Sequence, residues 1–115
     1  MSDIREFTDV MRHFSEERDW TRFHDPKSLT LALVGEVGEL AELLQWLPAA
    51  GIGDRVRAAP LNQRLGEELA DVFLYLVRLA DVLGVDLTAA ADQKLRANAA
   101  KFGVDEYLGK APERP

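Results

Sequence analysis

The sequence predicts an all-α domain in which four amphipathic helices form a small bundle. Apolar residues recur at helical spacing in four segments, and no segment has the strict alternation of apolar and polar residues that is typical of a β-strand. Residues rich in proline, glycine or aromatic rings separate these segments. With 115 residues, the chain is long enough for one hydrophobic core but not for two.

The first two helices are defined by their apolar periodicity and by their capping residues. The first is predicted over residues 3–19, with Ser2 or Asp3 as its N-cap. An aromatic segment without a clear period follows it. The second helix is predicted over residues 26–47, because Asp25 precedes a proline at its start and another proline stops it. Its apolar stripe consists of Leu29, Leu33, Val37, Leu40, Leu43, Leu44 and Leu47.

Two further helices follow a loop at residues 48–60 that is rich in glycine, proline and alanine. The third helix is predicted over residues 60–83 and ends at Gly84. Its apolar stripe consists of Leu65, Leu69, Val72, Phe73, Leu76, Leu79, Ala80 and Leu83. The fourth helix is predicted over residues 86–102, with an aspartate as its cap. Such broad apolar helices in a chain of 12.8 kDa predict a homo-oligomer with helices packed across subunits.

The composition excludes several classes of function. The formal net charge is −6 and the isoelectric point is near 4.9, so general binding of DNA or RNA is not expected. The chain contains no cysteine, which excludes a thiolate metal site and a cysteine nucleophile. The N-terminal residues have no signal-peptide pattern and no apolar run reaches membrane-spanning length, so we expect a cytoplasmic protein without a membrane contact.

Two acidic pairs lie within the apolar helices. Glu36 and Glu39 are three residues apart on the second helix, and Glu68 and Asp71 have the same spacing on the third. Residues at this spacing are neighbours on a helix surface. Glu36 falls inside the leucine stripe, where the pattern favours an apolar residue. An antiparallel hairpin centred on Asp54 would place the two acidic pairs at the same level.

Four carboxylates close to a core require a stabilising partner. On an exposed face they would be solvated, whereas unpaired and partly buried they would take up protons. A hard divalent cation would keep them ionised, and Mg²⁺, or Mn²⁺ in its place, prefers such oxygen ligands. Iron and zinc are disfavoured because the chain has only His13 and His24, and neither follows a glutamate in the Glu-x-x-His pattern.

Residues 31–46 and the Glu68-Leu-Ala-Asp71 motif resemble the MazG-like all-α nucleoside triphosphate pyrophosphohydrolases. The segment Glu17-Arg-Asp-Trp20, with Phe23-His24 following, is similar to the dCTP pyrophosphatase branch of that superfamily. We expect residues 1–102 to form the MazG-like domain and residues 103–115 to form a C-terminal tail.

This resemblance implies Mg²⁺-dependent hydrolysis of a nucleoside triphosphate, dCTP or a modified dCTP first of all, to the monophosphate and pyrophosphate. Glu36, Glu39, Glu68 and Asp71 would hold the metal ion, and Glu36 or Glu39 would activate the attacking water. Other nucleotides such as dUTP remain alternatives. The alternative without catalysis is a helical interaction module in which the acidic residues form a face that binds a partner.

The resemblance also implies a set of substrate contacts and an assembly. The base and sugar would be contacted by Trp20, Phe23, His24, Trp46 and Tyr75, and the phosphates by Lys94, Asn98 and Lys101. Four of these residues have a structural alternative. Phe23 could pack in the core, His24 could cap the second helix, and the lysines are ordinary residues for the last turns of a helix. Family members form dimers that pair into tetramers, so we expect a dimer of dimers.

Overall fold

A computed structural model describes residues 3–112 of the chain, and this range contains α-helices and one 3₁₀ helix but no β-strand. The elements in chain order are α1 (Ile4–Glu17), the 3₁₀ helix (Thr21–Phe23), α2 (Pro26–Leu44), α3 (Gly53–Val56), α4 (Leu61–Val82), α5 (Leu87–Lys101) and α6 (Val104–Tyr107). The predicted all-α class is therefore confirmed for the described residues. The four long helices correspond to the four predicted ones, and α3 and α6 are additional.

Aspartate side chains cap three of the long helices. The carboxylates of Asp3, Asp25 and Asp86 each accept a hydrogen bond from the backbone N–H three residues further on, at 2.9, 2.8 and 3.0 Å respectively. Each bond satisfies one of the N–H groups that the first turn of a helix leaves without a partner. The caps predicted at Asp25 and Asp86 are confirmed, and Asp3 is the cap of α1. The alternative cap, Ser2, lies outside the described residues.

The two short helices lie in segments that the sequence predicted to be irregular. α3 interrupts the loop at residues 48–60, where the Asn62 side chain donates a hydrogen bond to the Val56 carbonyl at 3.0 Å. α6 lies in the predicted tail, where the Tyr107 ring meets Phe102 edge-on at 5.1 Å. A single aromatic or side-chain contact thus orders one helical turn, which is too short to give a periodic pattern in the sequence.

The chain divides into two compact units, one ending at Gly84 and the other beginning at Val85. In the first unit, α4 packs along α2 and also contacts α1. Its most deeply buried apolar side chains are Leu29, Leu65, Val77 and Ala80. The second unit contains α5 and α6.

The ends of the long helices agree with the predictions to within a few residues. α2 ends at Leu44, one turn before the proline that was expected to stop it, because the chain tightens into a turn in which the Leu47 N–H bonds to the Leu44 carbonyl at 3.0 Å. α4 is followed by Gly84, which has a φ of 68°. A residue with this left-handed backbone conformation terminates many helices, and glycine adopts it without steric cost.

The buried face of α4 matches the predicted stripe only in part, because Leu65 and Ala80 of that stripe are buried but other members are not. Leu69, Leu76 and Leu83 were assigned to that stripe, yet their side chains are exposed by 54%, 37% and 54%. Val77 and Arg78 are buried instead. Helical periodicity places a broad apolar band on α4, and only packing decides which edge of the band faces the core. None of the helices in residues 3–112 combines the length and apolar character needed to span a membrane.

We expect Val77→Ala to lower the free energy of unfolding by about 2 kcal/mol, because it removes two buried carbon groups and leaves a cavity. Val77 is 1% exposed, whereas Val10 on α1 is 61% exposed and provides a control with the same chemistry. Val10→Ala should change stability by less than about 0.5 kcal/mol. Urea denaturation at one protein concentration measures both values, and equal losses would contradict the assigned core.

Candidate metal centre and adjoining cavity

Three carboxylates from two helices converge in the first unit. Glu36 and Glu39 of α2 and Glu68 of α4 each place an oxygen atom within 4.8 Å of the others. Glu36 and Glu68 are half-buried, and the Oε2 atom of each is buried without a hydrogen-bond partner. A buried oxygen without a donor is costly and needs an explanation. Because all three residues offer hard oxygen ligands, the chemistry of this donor set fits a divalent cation such as Mg²⁺.

The electrostatics of the three glutamates agree with a site for a divalent cation. The pKa of Glu36 is raised above its ordinary value, first by loss of hydration and then by the negative charge of Glu39 and hydrogen bonding to it. Loss of hydration and the same contact with Glu39 raise the pKa of Glu68. Partial burial and the nearby negative charges both disfavour ionisation of these carboxylates. A bound cation would favour their ionised forms.

Asp71 lies close to the three glutamates but does not join their oxygen cluster. Its charge contributes to the raised pKa of both Glu36 and Glu68. Its side chain also lines a neighbouring cavity of about 190 Å³. Asp71 is therefore near enough to act on the cluster electrostatically, and its assignment as a fourth metal ligand stays a prediction.

The cavity beside Asp71 has mainly apolar and aromatic walls. The other residues that line it are Met11, Phe14, Ser15, Trp20, His24, Leu29, Leu74, Tyr75 and Arg78. The structure thus brings together three of the five residues predicted to contact the base and sugar. A mostly apolar cleft with a few polar groups is the usual form of a small-molecule site.

Trp20 reaches the cavity through a tight turn after α1. Asp19 has a φ of 54°, a left-handed conformation that aspartate tolerates better than most residues, and the Trp20 N–H bonds to the Ser15 carbonyl at 2.9 Å. The Trp20 ring meets Phe14 edge-on at 5.6 Å, and the Arg18 guanidinium lies 3.6 Å from the Phe14 ring centroid. The Arg-Asp-Trp segment therefore has a structural role, which is to turn the chain and aim the indole.

A network of charged residues holds His24 at the cavity wall. Arg78 donates from Nε to His24 Nδ1 at 3.0 Å and from Nη1 to Asp81 Oδ2 at 2.8 Å. Arg12 of α1 donates from Nε to the same Asp81 oxygen at 3.0 Å. The hydrogen bond from Arg12 is the main reason that the pKa of Asp81 is lowered. The suggestion that His24 caps α2 is wrong, because Asp25 is the cap and the His24 ring faces Arg78.

Sequence analysis missed Arg78, Asp81 and Arg12. Arg78 and Asp81 are three residues apart inside an otherwise apolar run, and this pattern could have indicated a buried ion pair on one helix face. Arg12 lies 69 positions from its partner, so only the packing of α1 against α4 reveals it.

The other predicted substrate residues lie outside this cavity. Phe23 is 58% exposed beneath the Arg22 guanidinium, and Trp46 is 86% exposed just beyond α2. Core packing, the alternative considered for Phe23, is therefore wrong. Lys94, Asn98 and Lys101 lie on α5 in the second unit, and their phosphate contacts stay a prediction.

The fold and the carboxylate cluster define an all-α protein with a candidate centre for a divalent cation. The family model of the MazG-like family matches residues 32–111, and the chain belongs to that family. A solved pyrophosphatase from Archaeoglobus fulgidus superimposes with a TM-score of 0.81 at 31% identity, and the match covers 90% of this chain and 94% of that one.

The curated relatives carry a more specific name. The chain is 44% identical to dCTP pyrophosphatase 1 of Rattus norvegicus over 111 residues, which is 96% of this chain and 64% of the rat protein. It is 44% identical to dCTP pyrophosphatase 1 of Homo sapiens over 102 residues, or 89% of this chain and 58% of the human protein. The chain thus spans less than two thirds of the length of these relatives.

The stability of the metal-free protein should fall as the pH rises above the ordinary glutamate pKa of 4.5. In the window between that value and the raised pKa values, the folded state binds more protons than the unfolded chain, so the free energy of unfolding decreases with pH. Glu36→Gln removes one of these groups and should reduce the decrease. Melting temperatures in a chelator across a pH series measure this effect.

Glu42→Gln, which alters an exposed acid one turn beyond Glu39, is the matched control and should retain the wild-type dependence on pH. A Glu36→Gln protein that melts below wild type at neutral pH without metal would contradict this reading of the cluster.

Proposed function

We propose that this protein is a Mg²⁺-dependent nucleoside triphosphate pyrophosphohydrolase that acts on dCTP or a modified dCTP. The observation that carries the proposal is the cluster of Glu36, Glu39 and Glu68 with its buried, unpartnered carboxylate oxygens. Two comparisons support it: the solved neighbour is called a pyrophosphatase, and the curated relatives are called dCTP pyrophosphatases. The corresponding role of the enzyme would be to remove excess or modified nucleotides from the nucleotide pool.

In this proposal Glu36, Glu39 and Glu68 hold the cation, with Asp71 as the neighbouring fourth ligand. A bound Mg²⁺, or Mn²⁺ as its substitute, would neutralise the charge of the triphosphate and would act as a Lewis acid that activates water. The protein contributes carboxylates from two helices, and those of Glu36, Glu39 and Glu68 already converge.

The reaction is hydrolysis at the α-phosphorus. The water oxygen forms a bond to that phosphorus, the bond to the bridging oxygen breaks, and pyrophosphate leaves. Glu36 or Glu39 accepts the proton that the water loses. The cavity of about 190 Å³ binds the base between Trp20 and Tyr75, and Lys94, Asn98 and Lys101 bind phosphate oxygens. Phe23 and Trp46 are further proposed contacts with the base and sugar of the same substrate.

The proposed assembly is a dimer of dimers. α2 exposes Leu31 and Val34, each by 62%, and α4 exposes Leu69 and Leu76 by 54% and 37%. Large apolar side chains grouped on the helices that form the core are typical of an interface. Because α2 and α4 also carry the carboxylates, subunit contacts would support the site directly.

We expect Glu36→Gln to abolish pyrophosphate release while the helical fold survives, because it removes one charge from the cation ligands. Asp71→Asn should have the same effect if Asp71 is the fourth ligand. The measurement is a panel of nucleoside triphosphates with product analysis, with and without Mg²⁺, and with circular dichroism as the test of folding. Glu42→Gln serves as the control and should keep wild-type activity.

Full activity in both variants would overturn the assigned site. If wild type released no pyrophosphate from any triphosphate, the proposed enzyme would be wrong and the acidic face would be left as a surface for a partner. Release from dUTP in preference to dCTP would change the assigned base and leave the chemistry unchanged.

Val34→Glu should dissociate the assembly, because it places a charge within the exposed apolar surface of α2. Sedimentation equilibrium should give a multiple of 12.8 kDa for wild type and a smaller mass for the variant. Val10→Glu is the matched control, because Val10 has nearly the same exposure, 61%, on α1. A monomeric wild-type protein would contradict the proposed assembly.

A further inference from the structure

Arg78 is buried at the wall of the cavity and forms a hydrogen bond with His24. The side chain of Arg78 is 5% exposed, whereas that of Arg12 in the same network is 47% exposed. We propose that Arg78 is a positioning residue that holds His24 as the neutral Nε2–H tautomer, and that this N–H is a hydrogen-bond donor to the base of the bound nucleotide. The inference rests on the proposed function, because it assigns a determinant of base specificity within that same site.

The direction of the hydrogen bond fixes the tautomer. A guanidinium group has only donors, so the Arg78 Nε–H must donate and His24 Nδ1 must accept with its lone pair. An imidazole ring that accepts at Nδ1 carries its proton at Nε2 when it is neutral. Burial, and then the positive charge of Arg78, lower the pKa of His24, which agrees with a neutral ring.

The position of Arg78 is itself fixed from the other side. Asp81 accepts from Arg78 at 2.8 Å, and the same carboxylate accepts from Arg12 at 3.0 Å. Removal of a partner from a buried arginine strongly destabilises the folded protein, so the hydrogen bonds to Asp81 resist rotation of the Arg78 guanidinium. The ring of His24 is thereby anchored to α4, although His24 itself lies in the connection between the 3₁₀ helix and α2.

The cavity favours a base over a phosphate as the recipient of this N–H. His24 shares the cavity with Trp20, Leu74 and Tyr75, which present apolar and aromatic surface, and the charge of Arg78 is paired with Asp81. A neutral donor in such surroundings matches a neutral acceptor, which on a nucleobase is a carbonyl oxygen or a ring nitrogen. Sites that pair a polar group of the ligand discriminate strongly against ligands that lack it.

Nitrogen-15 NMR of the histidine rings tests the tautomer without reference to activity. The chain has two histidines, and His13, which is 77% exposed on α1, provides a second set of signals in the same spectrum. We expect His24 to carry its proton at Nε2 in wild type and to become a mixture of tautomers in Arg78→Lys, which keeps the charge beside Asp81. Arg12→Gln keeps the hydrogen bonds from Arg78 to His24 and Asp81 and should shift the tautomer population less than Arg78→Lys does. A wild-type His24 protonated at Nδ1 would overturn the proposal.

Kinetics with two substrates test the role of the N–H. Hydrolysis of dCTP is compared with hydrolysis of the abasic deoxyribose triphosphate, which presents the same sugar and phosphates without a base. His24→Asn can still accept from Arg78 but is too short to place a donor at the position of Nε2, whereas His24→Gln can place its amide N–H there. We expect His24→Asn to raise KM for dCTP about three- to tenfold with little change in kcat, and His24→Gln to restore much of the loss.

Both His24 variants should lose much less on the abasic substrate than on dCTP, and Arg78→Lys should behave as His24→Asn does. Arg12→Gln, which removes an arginine from the same aspartate without contacting His24, should lose less on dCTP than Arg78→Lys does. Equal losses on both substrates would show a merely structural role and would overturn the proposal. Absence of hydrolysis of any triphosphate by wild type would instead overturn the proposed function, and with it the assignment of the donor to a base.

Discussion

The burial of carboxylates between α2 and α4 is the constraint on which the rest of this structure depends. Glu36 occupies a position in the leucine stripe of α2, so the hairpin can close only by taking a charged group partly out of water. Glu39 and Glu68 meet it there, and loss of hydration, followed by the charge of the neighbouring carboxylates, raises the pKa of Glu36 and Glu68. A cation resolves this conflict, and for that reason the cluster is best understood as a site whose stability depends on its ligand.

The first unit contains a second buried charged group, and it is satisfied in a different way. Arg78 is more completely buried than any of the clustered glutamates, yet His24 and Asp81 both accept its hydrogen bonds. A charge that is paired within the protein stabilises the arrangement of its neighbours. The contrast separates the two roles: the glutamates retain unpartnered oxygen atoms for a ligand, whereas Arg78 uses its donors to fix the wall of the adjoining cavity.

The exposed apolar side chains of α2 and α4 connect the proposed assembly with the site. A small bundle cannot bury every apolar position of two broad helices, because each helix has only one face towards the core. The remaining positions include Leu31 and Val34 on α2 and Leu69 on α4. Since the same two helices supply the carboxylates, a subunit packed on these positions would also restrain the metal centre.

The helical class, the aspartate caps of α2 and α5 and the meeting of the two acidic segments are predictable from the sequence. Those properties follow from local chemistry: periodic apolar residues, a side-chain oxygen at a helix start, and a loop that joins two antiparallel helices. Glu36 is identifiable because it interrupts an apolar stripe. The convergence of Glu36 and Glu39 with Glu68 is therefore predicted by the sequence, and the structure confirms it.

Packing between distant elements sets which edge of α4 is buried, where Asp71 lies relative to the glutamates, and how Arg12, His24, Arg78 and Asp81 are connected. These outcomes depend on contacts between side chains that are far apart in the chain. Helical periodicity does not specify which edge of a broad apolar band is buried. The carboxylate cluster could thus be read from the sequence, whereas the cavity beside it depends on the packing of α1, α2 and α4.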